Sequence, residues 1–296
     1  MSARSRELPR RSCLSIPGSS DRFLQKGPSV PADMVILDLE DSVVPAEKAQ
    51  ARQRVVDAVA KSDWGDRVVS VRVNAWDSAW TVFDVQEVVG RAGERLDVVM
   101  LPKVQSTAEV VALDLVLGQV EAGAGLPPGH VGIEVQIETA RGLINVDEIC
   151  AASPRLEAVV FGPADFAASV EMPVLPGDHL PYVLSRILIA GRASGLQVID
   201  GPFFEVRDQD ALRNDCTRTK ALGFDGKWAV HPDQVHVLNE VFAPSQEQFD
   251  RAVALLETYG RATEGAVMFE DAMIDEASRK MALQLVARGE RSGLGR

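Results

Sequence analysis

Aromatic side chains make up only 5% of this 296-residue chain, which has three cysteines and four histidines. No apolar run approaches the 18 or so residues that a membrane-spanning helix needs, so nothing is expected to cross a bilayer. Cys13, Cys150 and Cys216 are odd in number, show no CxxC spacing and have no histidine cluster nearby. That argues against a zinc site or a disulfide framework and for buried free thiols in a reducing cytosol. Positive charge is also short: 31 Lys and Arg face 43 Asp and Glu, for a net charge of -12. A broad basic face for nucleic acid or anionic lipid is therefore excluded, and any anionic ligand must meet a local basic patch. The opening MSARSRELPRRS is Arg-rich but lacks the apolar core of a secretory signal, so a cytoplasmic protein is expected.

What is present is aliphatic. Hydrophobic residues make up 46% of the chain and are mainly Val, Ala and Leu, as a core of branched aliphatic side chains requires. Short apolar runs recur at Cys13–Ile16, Met34–Leu37, Val68–Val73, Val98–Leu101, Val131–Ile137, Ala158–Phe161, Leu196–Ile199 and Lys227–Val230. Their lack of clean alternation predicts strands covered on both faces, as in a parallel sheet. Helical patterns separate them. Pro45 opens a stretch whose Ala51, Val55 and Val59 share a face. Ser106 with Glu109 reads as a capping box before Val110, Leu113 and Leu117. Leu180, Val183, Leu184, Ile187 and Leu188 form a stripe that stops before Gly195, and Gly223 ends the helix before the last strand.

Eight strand–helix alternations without a linker predict an α/β fold, a closed (β/α)8 TIM barrel over residues 1–242. Gly123-x-Gly125 does not open a helix after a strand and is a poor dinucleotide fingerprint. Residues 243–296 then read as a C-terminal extension: a helix begun by Ser245 and Gln248 and stopping at Gly260, a short β-hairpin or irregular pair over Ala266–Ile274, and a helix over Glu276–Arg288. Such an appendage suits a lid or an oligomerisation element.

In this fold chemistry sits where the strands end. The ends here are Pro17-Gly18-Ser19-Ser20, Asp38-Leu39-Glu40-Asp41, Arg72-Val73-Asn74, Pro102-Lys103, Glu138-Thr139, Gly162-Pro163-Ala164-Asp165, Asp200-Gly201 and His231-Pro232. So many carboxylates in one mouth repel one another unless a cation neutralises them. With no clustered Cys or His, a hard ion held through oxygen is favoured, Mg2+ above all, and Glu138 with Asp165 on adjacent strands is the best pair. Each residue also has a plain structural alternative. Asp41 and Asp165 could cap helices, Lys103 could cover an apolar rim, Arg72 could balance Glu40, and His231 could start a turn. The joint pattern favours function.

The motifs Ile16-Pro17-Gly18, LDLEDSV (37–43), VRVN (71–74), LPKV (101–104), IETARGL (137–143), VVFGPADF (159–166), IDGPF (199–203), GFDGKWAVHP (223–232) and AMID (272–275) resemble the citrate lyase β-subunit-like family, which includes malyl-CoA lyases within the HpcH/HpaI aldolase group. The resemblance runs in order from about Arg11 to Met281. It implies a homotrimer or hexamer and Mg2+ (or Mn2+) on Glu138 and Asp165. It implies that Arg72 contacts the 2-oxo acid and the thioester oxygen, and that Glu40 and Asp41 hold waters on the metal. Arg22 and Lys26 would approach the CoA phosphates, and Asp275 would come from a neighbouring subunit for proton transfer. Pro176-Gly177-Asp178 followed by Tyr182 looks more like malyl-CoA lyases than citramalyl- or citryl-CoA enzymes, whereas Phe269-Glu270-Asp271 replaces the usual Gly-containing turn.

The implied reaction is reversible Claisen-type cleavage of a 3-carboxy-3-hydroxyacyl-CoA such as L-malyl-CoA or β-methylmalyl-CoA. Its products are acetyl-CoA or propionyl-CoA and glyoxylate. Citramalyl-CoA or citryl-CoA lyase is the alternative. A class II 2-oxo acid aldolase would need a His base near strand two, where Leu39-Glu40-Asp41 stands. A lyase subunit inert without an acyl-carrier partner is a further alternative.

Overall fold

The computed structural model describes residues 3–173, 180–261 and 265–295. Eight parallel strands close into a barrel: β1 Ser12–Pro17, β2 Met34–Asp38, β3 Val68–Arg72, β4 Val98–Leu101, β5 Gly132–Ile137, β6 Leu156–Phe161, β7 Gln197–Asp200 and β8 Gly226–Ala229. Each strand pairs with the next in sequence and β8 returns to β1, so the α/β barrel expected from the apolar runs is the observed fold. Every strand but the first and seventh is buried at all positions, which explains the missing alternation. Cys13, Met34, Ile36, Val68, Met100, Val160, Ile199 and Trp228 form the core cluster, alternate residues of their strands.

The outer helices bury the faces their spacing predicted. Ala51, Val55 and Val59 are fully covered on the helix Lys48–Lys61, as are Val110, Leu113 and Leu117 on Thr107–Ala124. The capping box expected there is not formed. Ser106 makes no side-chain cap, and Glu109 instead accepts from the Gln105 amide at 2.7 Å, one residue further back. Gly223, with φ +116, does end the helix Gln209–Leu222 in the left-handed region that favours glycine.

The N-terminal end of the barrel is closed by charge. Buried Arg10 donates from Nε to Glu134 at 2.8 Å and from Nη2 to Glu157 at 2.7 Å, and Ser5 adds a 2.8 Å bond to Glu157. Two carboxylates around one guanidinium leave an excess of buried negative charge, and burial pushes the Glu134 carboxyl up to about 7.

The chain divides into two compact units, 1–239 and 240–296. In the second, the helix Gln246–Arg261 is opened by a reciprocal cap: Ser245 donates its amide to Gln248 Oε1 at 3.0 Å and accepts the Gln248 amide on Oγ at 3.1 Å. That helix runs through Gly260 rather than stopping there. An antiparallel hairpin, β9 Val267–Phe269 and β10 Ala272–Ile274, leads to the last helix, Glu276–Arg291. Among the described residues no helix is long and apolar enough to cross a membrane. Cys13, Cys150 and Cys216 are buried free thiols.

Candidate active site

The strand ends meet in a cavity of about 320 Å3, lined among others by Asp38, Asp41, Arg72, Gln136, Glu138, Asp165 and Trp228. Register explains its centre. Asp38 and Arg72, the last residues of β2 and β3, are direct partners in the parallel ladder and point into the lumen together. Arg72 forks onto Asp38, with Nε and Nη2 each 2.7 Å from a carboxylate oxygen. Nη1 lies 3.0 Å from Glu40 Oε2, and the guanidinium carbon sits 5.2 Å from the centre of the Trp228 ring. Burial alone would discourage the charge, yet the Asp38 ion pair raises the Arg72 pKa above its ordinary value. Burial likewise opposes the Asp38 carboxylate, and Arg72 nevertheless holds it below the usual range.

Glu138 follows β5 and is fully buried. Its Oε1 accepts the Lys103 amide at 2.6 Å, while Oε2 is the one buried side-chain oxygen or nitrogen among the described residues with no hydrogen-bond partner. Burial, with Asp165 and Glu40 adding like charge, pushes the Glu138 carboxyl well above the carboxylate range. Gly162 lies against it: a Cβ there would collide with Glu138 Oε2 and with the Gln136 amide, so only glycine leaves that oxygen open. Asp165 stands in the first turn of the helix Pro163–Ser169, not at its cap, and its side chain is 39% exposed. The helix-capping alternative therefore fails for Asp165, because Gly162 holds the cap position.

An orphaned buried carboxylate oxygen beside a second carboxylate suits a hard divalent cation. Among the described residues no three His, Cys, Asp or Glu side chains converge as a full ligand cage. Mg2+ does not require one, since it characteristically takes one or two carboxylates and keeps waters.

Glu40 and Asp41 meet at Lys103. Its ammonium lies 2.5 Å from Glu40 Oε1, 3.1 Å from Asp41 Oδ2 and 3.8 Å from Asp165 Oδ1. Burial raises the Glu40 pKa despite Arg72 and Lys103. Lys103 therefore does not cover an apolar rim. His231 does start a turn, accepting the Asp233 amide at 3.2 Å.

Three residues with clear roles were not among the expected site residues: Asp38, Gln136 and Lys48. Buried Lys48 donates to the carbonyls of Leu39 at 2.8 Å and Glu40 at 2.7 Å, and its ammonium lies 5.4 Å from the centre of the Trp80 ring. It thereby fixes the backbone that carries Glu40. Only the register of β2 against β3 singles out Asp38 as the partner of Arg72, and nothing in the helical pattern marks Lys48.

Arg22 and Lys26 are exposed on the short helix Asp21–Lys26. Asp275 belongs to the second unit, where it caps the helix Glu276–Arg291 by accepting the Ser278 amide at 3.0 Å. Hydrogen bonds from Ser278 lower its pKa, so it stands as an exposed carboxylate. Pro176-Gly177-Asp178 lies outside the described residues.

A second cavity, about 620 Å3, shares Pro163, Pro202 and Phe204 with the first. Although larger, its charged groups neutralise each other: buried Lys227 lies 2.5 Å from Asp200 and 2.6 Å from Asp215. The mouth with the orphaned oxygen is the better candidate.

The chain is similar to known proteins. An L-malyl-CoA/beta-methylmalyl-CoA lyase of Cereibacter sphaeroides is 38% identical over 303 residues, spanning 95% of each chain. A (3S)-malyl-CoA thioesterase of the same species is 36% identical over 287 residues, again 95% of each. The crystal structure of the protein CitE from Mycobacterium tuberculosis in complex with magnesium, acetoacetate and coenzyme A superposes with a TM-score of 0.77 at 29% identity, covering 96% of this chain and 99% of that one. Residues 11–232 match the model of one family, and the chain belongs to it: the HpcH/HpaI aldolase/citrate lyase family.

Proposed function

We propose that the protein is a Mg2+-dependent carbon–carbon lyase for a 3-carboxy-3-hydroxyacyl-CoA, L-malyl-CoA or β-methylmalyl-CoA. The observation that carries the reading is the unpartnered Glu138 Oε2 beside Asp165 in a mouth floored by Arg72. Glu138 and Asp165 would hold the metal, which would supply Lewis-acid stabilisation of charge on the substrate's hydroxyl oxygen.

The chain's own residues do the rest. A guanidinium has five N–H donors, of which Asp38 takes two and Gln136 a long one at 3.5 Å, while Glu40 pairs with Nη1 by charge at 3.0 Å; two donors are left for a ligand. Arg72 is thus a pre-oriented donor for the thioester oxygen as the carbon–carbon bond breaks, the hydroxyl proton leaving to water and the acyl fragment departing as an enolate. Asp38 and Trp228 hold it in place. Glu40 and Asp41 balance Lys103 and order water at the metal. Arg22 and Lys26 supply the local basic patch that CoA phosphates need on a chain of net charge -12. Asp275, delivered from a neighbouring subunit of a homotrimer or hexamer, exchanges the proton at the enolate carbon. Held ionised at its cap, it is in the form that removes a proton in the condensing direction, and leaving the cap frees it from the hydrogen bonds that weaken it as a base.

The test is product analysis with pure protein, Mg2+ and malyl-, β-methylmalyl-, citramalyl- and citryl-CoA. Glyoxylate with acetyl- or propionyl-CoA, and no free thiol, is expected. Free CoA thiol with malate and no glyoxylate would instead assign hydrolysis, the activity named for the thioesterase relative.

A further inference from the structure

Lys103 has φ 53, one of three non-glycine described residues in the left-handed region. Side chains rarely adopt that conformation unless the surroundings over-determine it. Here both ends of the residue are engaged. The amide holds Glu138 Oε1 at 2.6 Å, so the other oxygen, Oε2, is the one without a partner among the described residues. The ammonium reaches Glu40 and Asp41 and lies 3.8 Å from Asp165 Oδ1. These two ends act oppositely on a dication. One orients a ligand for it, and the other places a like charge beside it.

We propose that Lys103 sets the divalent-cation affinity of the Glu138–Asp165 pair, its amide orienting Glu138 and its ammonium weakening the bound cation by repulsion. This rests on the metal reading given above. The magnitude follows from geometry. A cation one coordination bond, about 2.1 Å, from Asp165 Oδ1 lies within about 6 Å of an ammonium 3.8 Å from that oxygen. A single and a double charge at roughly 6 Å, even with water-like screening, change an equilibrium about tenfold. Removing the ammonium also frees Glu40 and Asp41 to add negative potential, which acts in the same direction.

The experiment is Mn2+ titration of the whole protein at low salt, read from the free-ion electron paramagnetic resonance signal, which needs no turnover. Lys103→Met should bind Mn2+ roughly tenfold more tightly than wild type, and Lys103→Arg should stay within about threefold of it. Lys103→Gly adopts positive φ without strain, so it keeps the amide, drops the charge and should also tighten binding. If both neutral variants fold by circular dichroism and bind no more tightly than wild type, the proposal is wrong. Wild-type protein that takes up no Mn2+, or Glu138→Gln protein that binds like wild type, would remove the metal reading itself and the proposal with it.

Discussion

Arg72→Lys keeps the charge and most of the length of the side chain and removes the fork. The guanidinium makes two 2.7 Å bonds to Asp38, one 3.0 Å contact with Glu40 and a stack on Trp228. A lysine ammonium is a point donor. It cannot engage both Asp38 oxygens in the plane of the ring and still span to Glu40. At least one charged hydrogen bond is lost, about 1.5–3 kcal/mol, and with it part of the ring contact, about 0.5–1 kcal/mol. The variant should therefore unfold about 2–4 kcal/mol more easily, which for a barrel of this size is a fall of roughly 4–16 °C in melting temperature.

Activity should fall separately. At 20 °C, where the variant is still folded, loss of an oriented donor to the enolate oxygen should lower kcat by about 10²-fold or more. Thermal denaturation and a glyoxylate assay at that temperature read the two effects independently. A variant that melts early yet turns over within threefold of wild type would show Arg72 to be an ion-pair residue with no part in the chemistry.

Glu138→Gln and Asp165→Asn should each abolish Mg2+-dependent turnover. Glu138→Gln should also raise the melting temperature of metal-free protein, because a buried carboxylate whose burial pushes its pKa up destabilises the fold when charged; unchanged turnover would remove the metal assignment. Glu134, raised to about 7 from an unfolded value near 4.3, binds more protons in the folded state between those values. Stability should thus fall as pH rises from 5 to 8, by on the order of 3 kcal/mol, and denaturant titrations should show that slope flattened in Glu134→Gln. Inactive Asp275→Asn and inactive Asp165→Ala proteins, co-assembled after dissociation, should regain part of the activity through sites with one intact barrel and one intact lid. Dead hybrids, or a fully active Asp275→Asn protein, would refute the shared site.

Much of the fold was legible because burial on both faces writes itself into the sequence as unbroken aliphatic runs. The runs at Met34–Leu37 and Val98–Leu101 fall within one residue of β2 and β4. Helix faces were legible for the same reason, as with Ala51, Val55 and Val59. Polar partnerships were less so, since they depend on which strand ends meet. Glu40 could be suspected as a partner for Arg72 from charge alone. Asp38 could not be preferred to it without the register that sets Asp38 opposite Arg72. Lys48 looked like any polar position on a helix, because its partners are two main-chain carbonyls that leave no side-chain pattern. The capping pattern of Ser106 and Glu109 misled for a similar reason: the Gln105 amide, one residue earlier, donates to the same carboxylate.

One strand ties stability and function together. Inward positions of β5 and the residue after it rise through the lumen as Glu134, Gln136 and Glu138, two residues apart. At the bottom, Glu134 is met by Arg10 at 2.8 Å, a guanidinium from the chain that it shares with Glu157. In the middle, Gln136 is a neutral amide within 3.5 Å of Arg72. At the top, Glu138 receives a single backbone amide and keeps one oxygen with no partner among the described residues. A carboxylate so placed destabilises a folded protein unless something outside the chain completes it. The bottom rung shows that this barrel can set a cation of its own chain against a buried acid. Leaving the top rung unpaired, beside Asp165 and against a glycine whose side chain would close the gap, is therefore best explained by a ligand site, and the oxygen-only donor set makes that ligand a hard cation.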